Sequence, residues 1–126
     1  MEKRSIYDLV LKDLSQKMVF IAGPRQVGKT TLAHQIAQDN FSRSLFLNWD
    51  YSADRKRILK GESFQEADLL IFDEIHKYPR WKNFVKGHYD VHGAHQRILV
   101  TGSARLDVYR RGGDSMMGRY YLHVPF

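Results

Sequence analysis

Short apolar runs alternate with helix-compatible segments along the chain, a pattern that predicts a sheet built from strand–helix–strand crossovers. Met18-Val19-Phe20-Ile21-Ala22-Gly23 is apolar almost throughout and runs into Pro24, as a strand buried on both faces does. Further strands are predicted over residues 44–49, 69–72, 97–101 and 119–124. Between the first two, Leu32, Ala33, Ile36 and Ala37 recur at helical spacing and mark a helix over residues 30–38. Other helices are expected near residues 5–14, 53–60 and 81–89, with a weaker one at 106–110. Gly87 and Gly93 predict that the segment before the fourth strand is broken or short. The pattern is that of a three-layer α/β domain with a mostly parallel sheet, whose ligands sit at the carboxyl ends of the strands.

Three features at those ends carry chemistry. Gly23-Pro24-Arg25-Gln26-Val27-Gly28-Lys29-Thr30 fits G-x-x-x-x-G-K-[ST], the P-loop or Walker A pattern, without a mismatch. Its glycines let backbone N–H groups approach phosphate oxygens, and the helix that follows points its positive end at the same anion. Lys29 then reaches the β- and γ-phosphates and the Thr30 hydroxyl ligates Mg²⁺. The competing reading is a glycine turn that merely joins strand to helix, but an apolar strand directly before and a helical pattern directly after favour the phosphate loop. Leu69-Leu70-Ile71-Phe72 then ends on Asp73 and Glu74, a Walker B arrangement. Asp73 would serve the magnesium, directly or through water, and Glu74 would take a proton from attacking water. Acids at a helix start are the alternative. Thr101-Gly102-Ser103 closes the fourth strand, and a polar side chain there would orient water or sense the γ-phosphate, unless it is turn chemistry alone.

Composition narrows the setting. A chain of 126 residues fits one domain with one core. With no cysteine there is no disulfide, thiolate metal site or cysteine nucleophile. The start lacks the apolar run of a signal peptide and no stretch reaches membrane-spanning length, so a cytoplasmic protein without a membrane contact is expected. Lys and Arg outnumber Asp and Glu by 20 to 14, a charge of +6 that favours polyanions without choosing among them. Lys77, Tyr78, Arg80, Trp81, Lys82 and Lys86 form a basic, aromatic stretch that could meet nucleic acid, though a solvated helix face is the simpler account. His88, His92 and His95 lack the further ligands zinc needs. Tyr7 would lie either against adenine or in the core with Ile6, Leu9, Val10 and Leu14.

The motifs together extend beyond one loop. The chain resembles a prokaryotic AAA-like, RecA-type P-loop ATPase family that reads Gly-Pro-Arg-x-x-Gly-Lys-Thr-Thr-Leu, then hydrophobic-Asp-Glu-Ile, then Thr-Gly-Ser, then a late Gly-Arg. Here these are Gly23 to Leu32 (including Thr31), Phe72 to Ile75, Thr101 to Ser103, and Gly118-Arg119. The resemblance implies a five-stranded core in the order 5-1-4-3-2 and residues 1–126 as one ATPase domain. It implies ATP and Mg²⁺ as ligands, Lys29 and Thr30 on phosphate and metal, Asp73 on metal, Glu74 as base and Thr101 to Ser103 as first sensor. Arg119 becomes a candidate second sensor or arginine finger, for this subunit or a neighbour's, with Arg105, Arg110 and Arg111 as weaker competitors. No guanine-reading Asn-Lys-x-Asp motif is present, so the base is adenine. Family members continue into a C-terminal domain, whereas this chain stops at Val124-Pro125-Phe126, which predicts a truncated or naturally short form. An uncovered sheet edge would then invite self-association, and the basic surface is the expected contact for a nucleic-acid or protein partner. Two alternatives stand beside ATP hydrolysis: a nucleotide-binding switch or assembly module that hydrolyses little, and a nucleic-acid-binding ATPase fragment.

Overall fold

The five apolar runs become five strands in a computed structural model that describes residues 5–24, 28–61, 64–103 and 118–124. In chain order the elements are α1 (Ile6–Leu14), β1 (Met18–Ala22), α2 (Lys29–Asn40), β2 (Ser44–Asn48), α3 (Ser52–Lys60), β3 (Leu69–Asp73), α4 (Trp81–His92), β4 (Arg97–Gly102) and β5 (Tyr120–His123). Short 3₁₀ turns at Phe64–Glu66 and Ile75–Lys77 flank β3. The strands pair in the order β2-β3-β4-β1-β5, and every pair is parallel. That is the expected order, and the sheet is fully rather than mostly parallel.

Burial explains why the sequence favours this arrangement. Every residue of β1 and β3 is buried, and all but the first of β4, so these strands can be apolar on both faces only at the centre of a covered sheet. One face carries Val19, Ile21, Leu69, Ile71 and Leu99 against Val10 and Leu14 of α1 and Ala33, Ile36 and Ala37 of α2. The other carries Met18, Phe20, Leu70, Phe72, Ile98 and Val100 against Ile58 of α3, Phe64, and Trp81 and Val85 of α4. Phe20 anchors that second layer, its ring stacked on Tyr120 at 4.8 Å and tilted against Trp81 at 5.8 Å. Each such side chain contributes about 1.5–3 kcal/mol by leaving water.

Two expectations need correction here. Helix α4 is neither broken nor short: it runs unbroken through Gly87 to His92 and ends at Gly93. A glycine inside a helix costs only about 1 kcal/mol, and burial of Trp81 and Val85 on the same helix exceeds that. Tyr7 does not face a nucleotide. Its hydroxyl donates to Asp39 at 2.8 Å and accepts from Asn40, at the end of α2 remote from the phosphate loop. The expected helix over 106–110 lies outside the described residues, as do Arg105, Arg110 and Arg111.

Register then positions the site. Ala22 pairs with Gly102, Thr101 with Asp73, and Asp73 with Asn48. The phosphate loop, the acid pair and the polar end of β4 therefore emerge side by side along one edge of the sheet.

Candidate functional site

Two glycines stand at the ends of the loop after β1. Gly23 has φ 148° and Gly28 has φ 75°, backbone states that L side chains rarely adopt. Gly28 is the N-cap of α2 and offers no side-chain cap, so the first N–H groups of a 12-residue helix are left for an anion. Lys29 is 4% exposed, and its Nζ donates to the Pro24 carbonyl at 2.8 Å, which holds the ammonium over the loop. Arg25, Gln26 and Val27 fall outside the described residues. Thr31, one residue further into α2, does not line the cleft among the described residues.

Asp73 sits across from Thr30. The Thr30 hydroxyl is 3.4 Å from Asp73 Oδ2, and the Thr101 hydroxyl donates to Oδ1 at 2.8 Å. Burial raises the Asp73 carboxyl above its ordinary value, and the neighbouring Glu74 charge adds to this; the hydrogen bonds from Thr101 and Thr30 and the charge of Lys29 oppose it. A carboxylate destabilised by burial, beside a threonine hydroxyl, is a hard-oxygen donor set of the kind Mg²⁺ takes. Thr101 itself is fully buried, does not line the cleft and gives its hydroxyl to Asp73.

Glu74 is in the left-handed conformation, φ 59° and ψ 24°, the only non-glycine residue with positive φ among those described. That conformation costs of order 1–3 kcal/mol and concentrates at functional sites. Its backbone N–H bonds the Thr101 carbonyl at 2.8 Å while Ile75, fully buried, starts the 3₁₀ turn beyond it. Glu74 Oε1 accepts from the Ser103 N–H at 2.6 Å. Lys29, Thr30, Asp73, Glu74 and Ser103 line one cleft of about 350 Å³, together with Asn48 and Asp50.

Sequence reasoning missed Asn48 and Asp50. The signal was there: Leu45-Phe46-Leu47 gives way to Asn48 and Asp50 just as the third strand gives way to its acids. Asn48 Oδ1 accepts from the Asp50 N–H at 2.9 Å, and Asp50 binds Lys77 at 2.8 Å.

Arg119 lies away from the other candidate residues. It precedes β5, its carbonyl accepts from the Met18 N–H, and its guanidinium pairs with Asp90 of α4 at 2.8 Å. Because β5 runs parallel to β1, Arg119 lies at the amino end of the sheet, a β1 length (about 13 Å at the usual strand rise) from the phosphate loop. It does not line the cleft of its own subunit. In the basic, aromatic stretch Trp81 is buried and Tyr78 stacks on Trp49, while Lys77 and Lys86 form surface ion pairs with Asp50 and Asp90 and Arg80 is exposed. The His88 and His92 rings lie tilted to each other at 4.6 Å, and no cluster of three or more His, Cys, Asp or Glu side chains placed to hold a metal occurs among the described residues. No helix among them is long and apolar enough to cross a membrane.

Comparison with known proteins agrees with this architecture. The profile of a family described as an AAA domain matches residues 15–125. A stretch of 63 residues is 41% identical to the Holliday junction branch migration complex subunit RuvB of Chlorobium luteolum, covering 48% of this chain and 18% of that protein. Among solved structures, Pif1 of Bacteroides sp. in complex with ADP-AlF4 superposes with a TM-score of 0.58 at 16% identity, over 88% of this chain and 35% of that one. PCH-2 of C. elegans does so with a TM-score of 0.50 at 17% identity, over 94% of this chain and 39% of that one. The chain thus spans well under half the length of these relatives, and the structural likenesses establish a shared α/β P-loop fold.

Proposed function

The chain belongs to the AAA domain family, and from that premise we propose that it binds ATP with Mg²⁺ and hydrolyses the β–γ bond. The observation that carries this is the meeting, in one cleft, of Lys29 and Thr30 on the phosphate loop with Asp73 and Glu74 at the end of β3. In this reading the free N–H groups at the start of α2 meet the phosphates, and Lys29 leaves the Pro24 carbonyl for the β- and γ-oxygens. Thr30 and Asp73 hold the Mg²⁺, which when bound draws charge from the phosphates. Glu74 takes a proton from a water whose oxygen bonds to the γ-phosphorus as the bridging oxygen leaves with ADP. Ser103 and Thr101 act behind these groups, one on Glu74 and one on Asp73. Arg119 would act only in the site of a second copy.

An ATP titration with and without Mg²⁺ tests the binding half. Parent protein should bind more tightly with the metal, and Lys29→Ala should lose most of that affinity. Equal binding by Lys29→Ala would remove the phosphate loop from the account.

A second reading concerns a polyanionic partner. Helix α3 carries Arg55, Lys56, Arg57 and Lys60 against the single acid Asp54, and none of the four cations is in an ion pair among the described residues. Tyr51 and Leu59 are exposed beside them. A nucleic acid would bind here, not at the Lys77–Lys86 stretch, with affinity falling steeply with salt. Charge reversal of Lys56 and Lys60 that left such binding unchanged would end this reading.

A further inference from the structure

Glu74 is held by only one of its oxygens. Oε1 has the Ser103 N–H, but Oε2 is buried and makes no hydrogen bond among the described residues. Two groups approach it: His76 Nε2 at 3.5 Å and Lys77 Nζ at 3.6 Å. Lys77 is already bound to Asp50 at 2.8 Å, and its side chain is 40% exposed, so water screens its pull. His76 is the less exposed neighbour, at 14%.

The chemistry of that ring is constrained. Burial depresses its basicity below the ordinary histidine value, the nearby Glu74 charge opposing this, which favours the neutral imidazole with one N–H and one bare nitrogen. Its Nδ1 is buried without a partner. An unpaired buried acceptor is tolerated better than an unpaired buried N–H. The proton therefore belongs on Nε2, facing the carboxylate. The left-handed backbone of Glu74 turns the chain so that residues 74 and 76 face each other, and the fully buried Ile75 between them fixes the turn.

We propose that His76 is the positioning residue for Glu74. Its Nε2–H closes on Oε2 while the Ser103 N–H holds Oε1, so the carboxylate cannot rotate and its remaining lone pairs face the cleft where water would be activated. The inference rests on the reading of Glu74 as the base. A group oriented from both oxygens keeps one geometry through turnover, whereas one held by a single bond samples unproductive rotations.

The test measures hydrolysis at saturating Mg-ATP, the KM for ATP and the thermal midpoint for His76→Ala, His76→Gln and His76→Phe. Each is made in the parent and His76→Ala also in Glu74→Gln. His76→Ala should lower the maximal rate about tenfold or more with KM and midpoint little changed. His76→Gln, which keeps an N–H donor, should recover most of the rate, and His76→Phe, which keeps only the ring, should not. In Glu74→Gln the added His76→Ala should change nothing, because both act through one carboxylate. A parental rate in His76→Ala, equal rescue by Phe and Gln, or losses that multiply would overturn the proposal. Should Glu74→Gln itself hydrolyse like the parent, the base assignment fails and the proposal with it. A slow Glu74→Gln beside a fast His76→Ala fails the proposal alone.

Discussion

Thr101→Val removes one hydroxyl from the centre of the sheet and leaves a methyl of nearly the same size. Thr101 is 0% exposed, and its hydroxyl donates to Asp73 Oδ1 at 2.8 Å. A hydrogen bond to a charged group is worth about 1.5–3 kcal/mol, so the variant should lose that much stability near neutral pH. For a chain of this size the thermal midpoint should fall by roughly 5–15 °C. The pH dependence gives the sharper check. The Asp73 carboxyl lies above its ordinary value of 3.8 in the fold, so between the two values the folded state keeps a proton that the unfolded chain has released. Asp73 therefore detracts from stability as pH rises through that window, and the cost vanishes below the ordinary value. Thr101 opposes the rise; without it the folded value climbs further and the cost grows. Urea unfolding of Thr101→Val should show its full deficit near neutral pH and a shrinking one as pH falls toward the ordinary carboxylate range. Thr101→Ser, which retains the hydroxyl, should keep the pH dependence of the parent. A deficit of equal size in acid, or none at neutral pH, would refute the link between this hydroxyl and Asp73.

Other consequences are simpler to measure. Gly87→Ala should stabilise the protein by about 0.5–1 kcal/mol, because a Cβ there meets nothing within 4 Å and the helix continues on both sides. Gly93→Ala should destabilise it by about 1–3 kcal/mol, since the added Cβ would lie 2.6 Å from the Tyr89 carbonyl oxygen; denaturant midpoints that move together in sign contradict the packing given for α4. Arg119→Ala should leave the affinity of one subunit for ATP unchanged, as its guanidinium lies at the far end of the sheet on Asp90; a large loss in a dilute monomer would require a different placement. Gln96→Leu should cost about 1–3 kcal/mol in thermal or urea unfolding, because the amide N–H groups bonded to the Phe64 and Ala67 carbonyls disappear.

Much of this was legible because strand burial and phosphate chemistry both leave local marks. A strand apolar at every position can only be central, and β1, β3 and β4 are the three central strands. The phosphate loop needs particular residues at fixed spacing, so Gly23 to Thr30 could be recognised without neighbours. The order of the strands came from family resemblance, since no local pattern encodes which strand lies beside which. Strand direction bears on the two places left open for Arg119: a residue that begins a parallel strand lies opposite the end where ligands bind in its own subunit. The place of Thr101 at a strand end was legible, but its contact with the Asp73 carboxylate was not, because that depends on which strand lies beside β4. Gln96 and His76 could not be found from sequence at all. Their roles depend on carbonyls and a carboxylate brought to them by the fold, in one case from some 30 residues away.

The central claim is that Glu74 activates the attacking water in a site built by Lys29, Thr30 and Asp73. A single-turnover measurement of phosphate release from bound Mg-ATP tests it most directly, comparing the parent with Glu74→Gln at matched nucleotide occupancy. The account predicts release by the parent and a loss of about two orders of magnitude or more in the variant, with ATP still bound. Equal release by both proteins would contradict it.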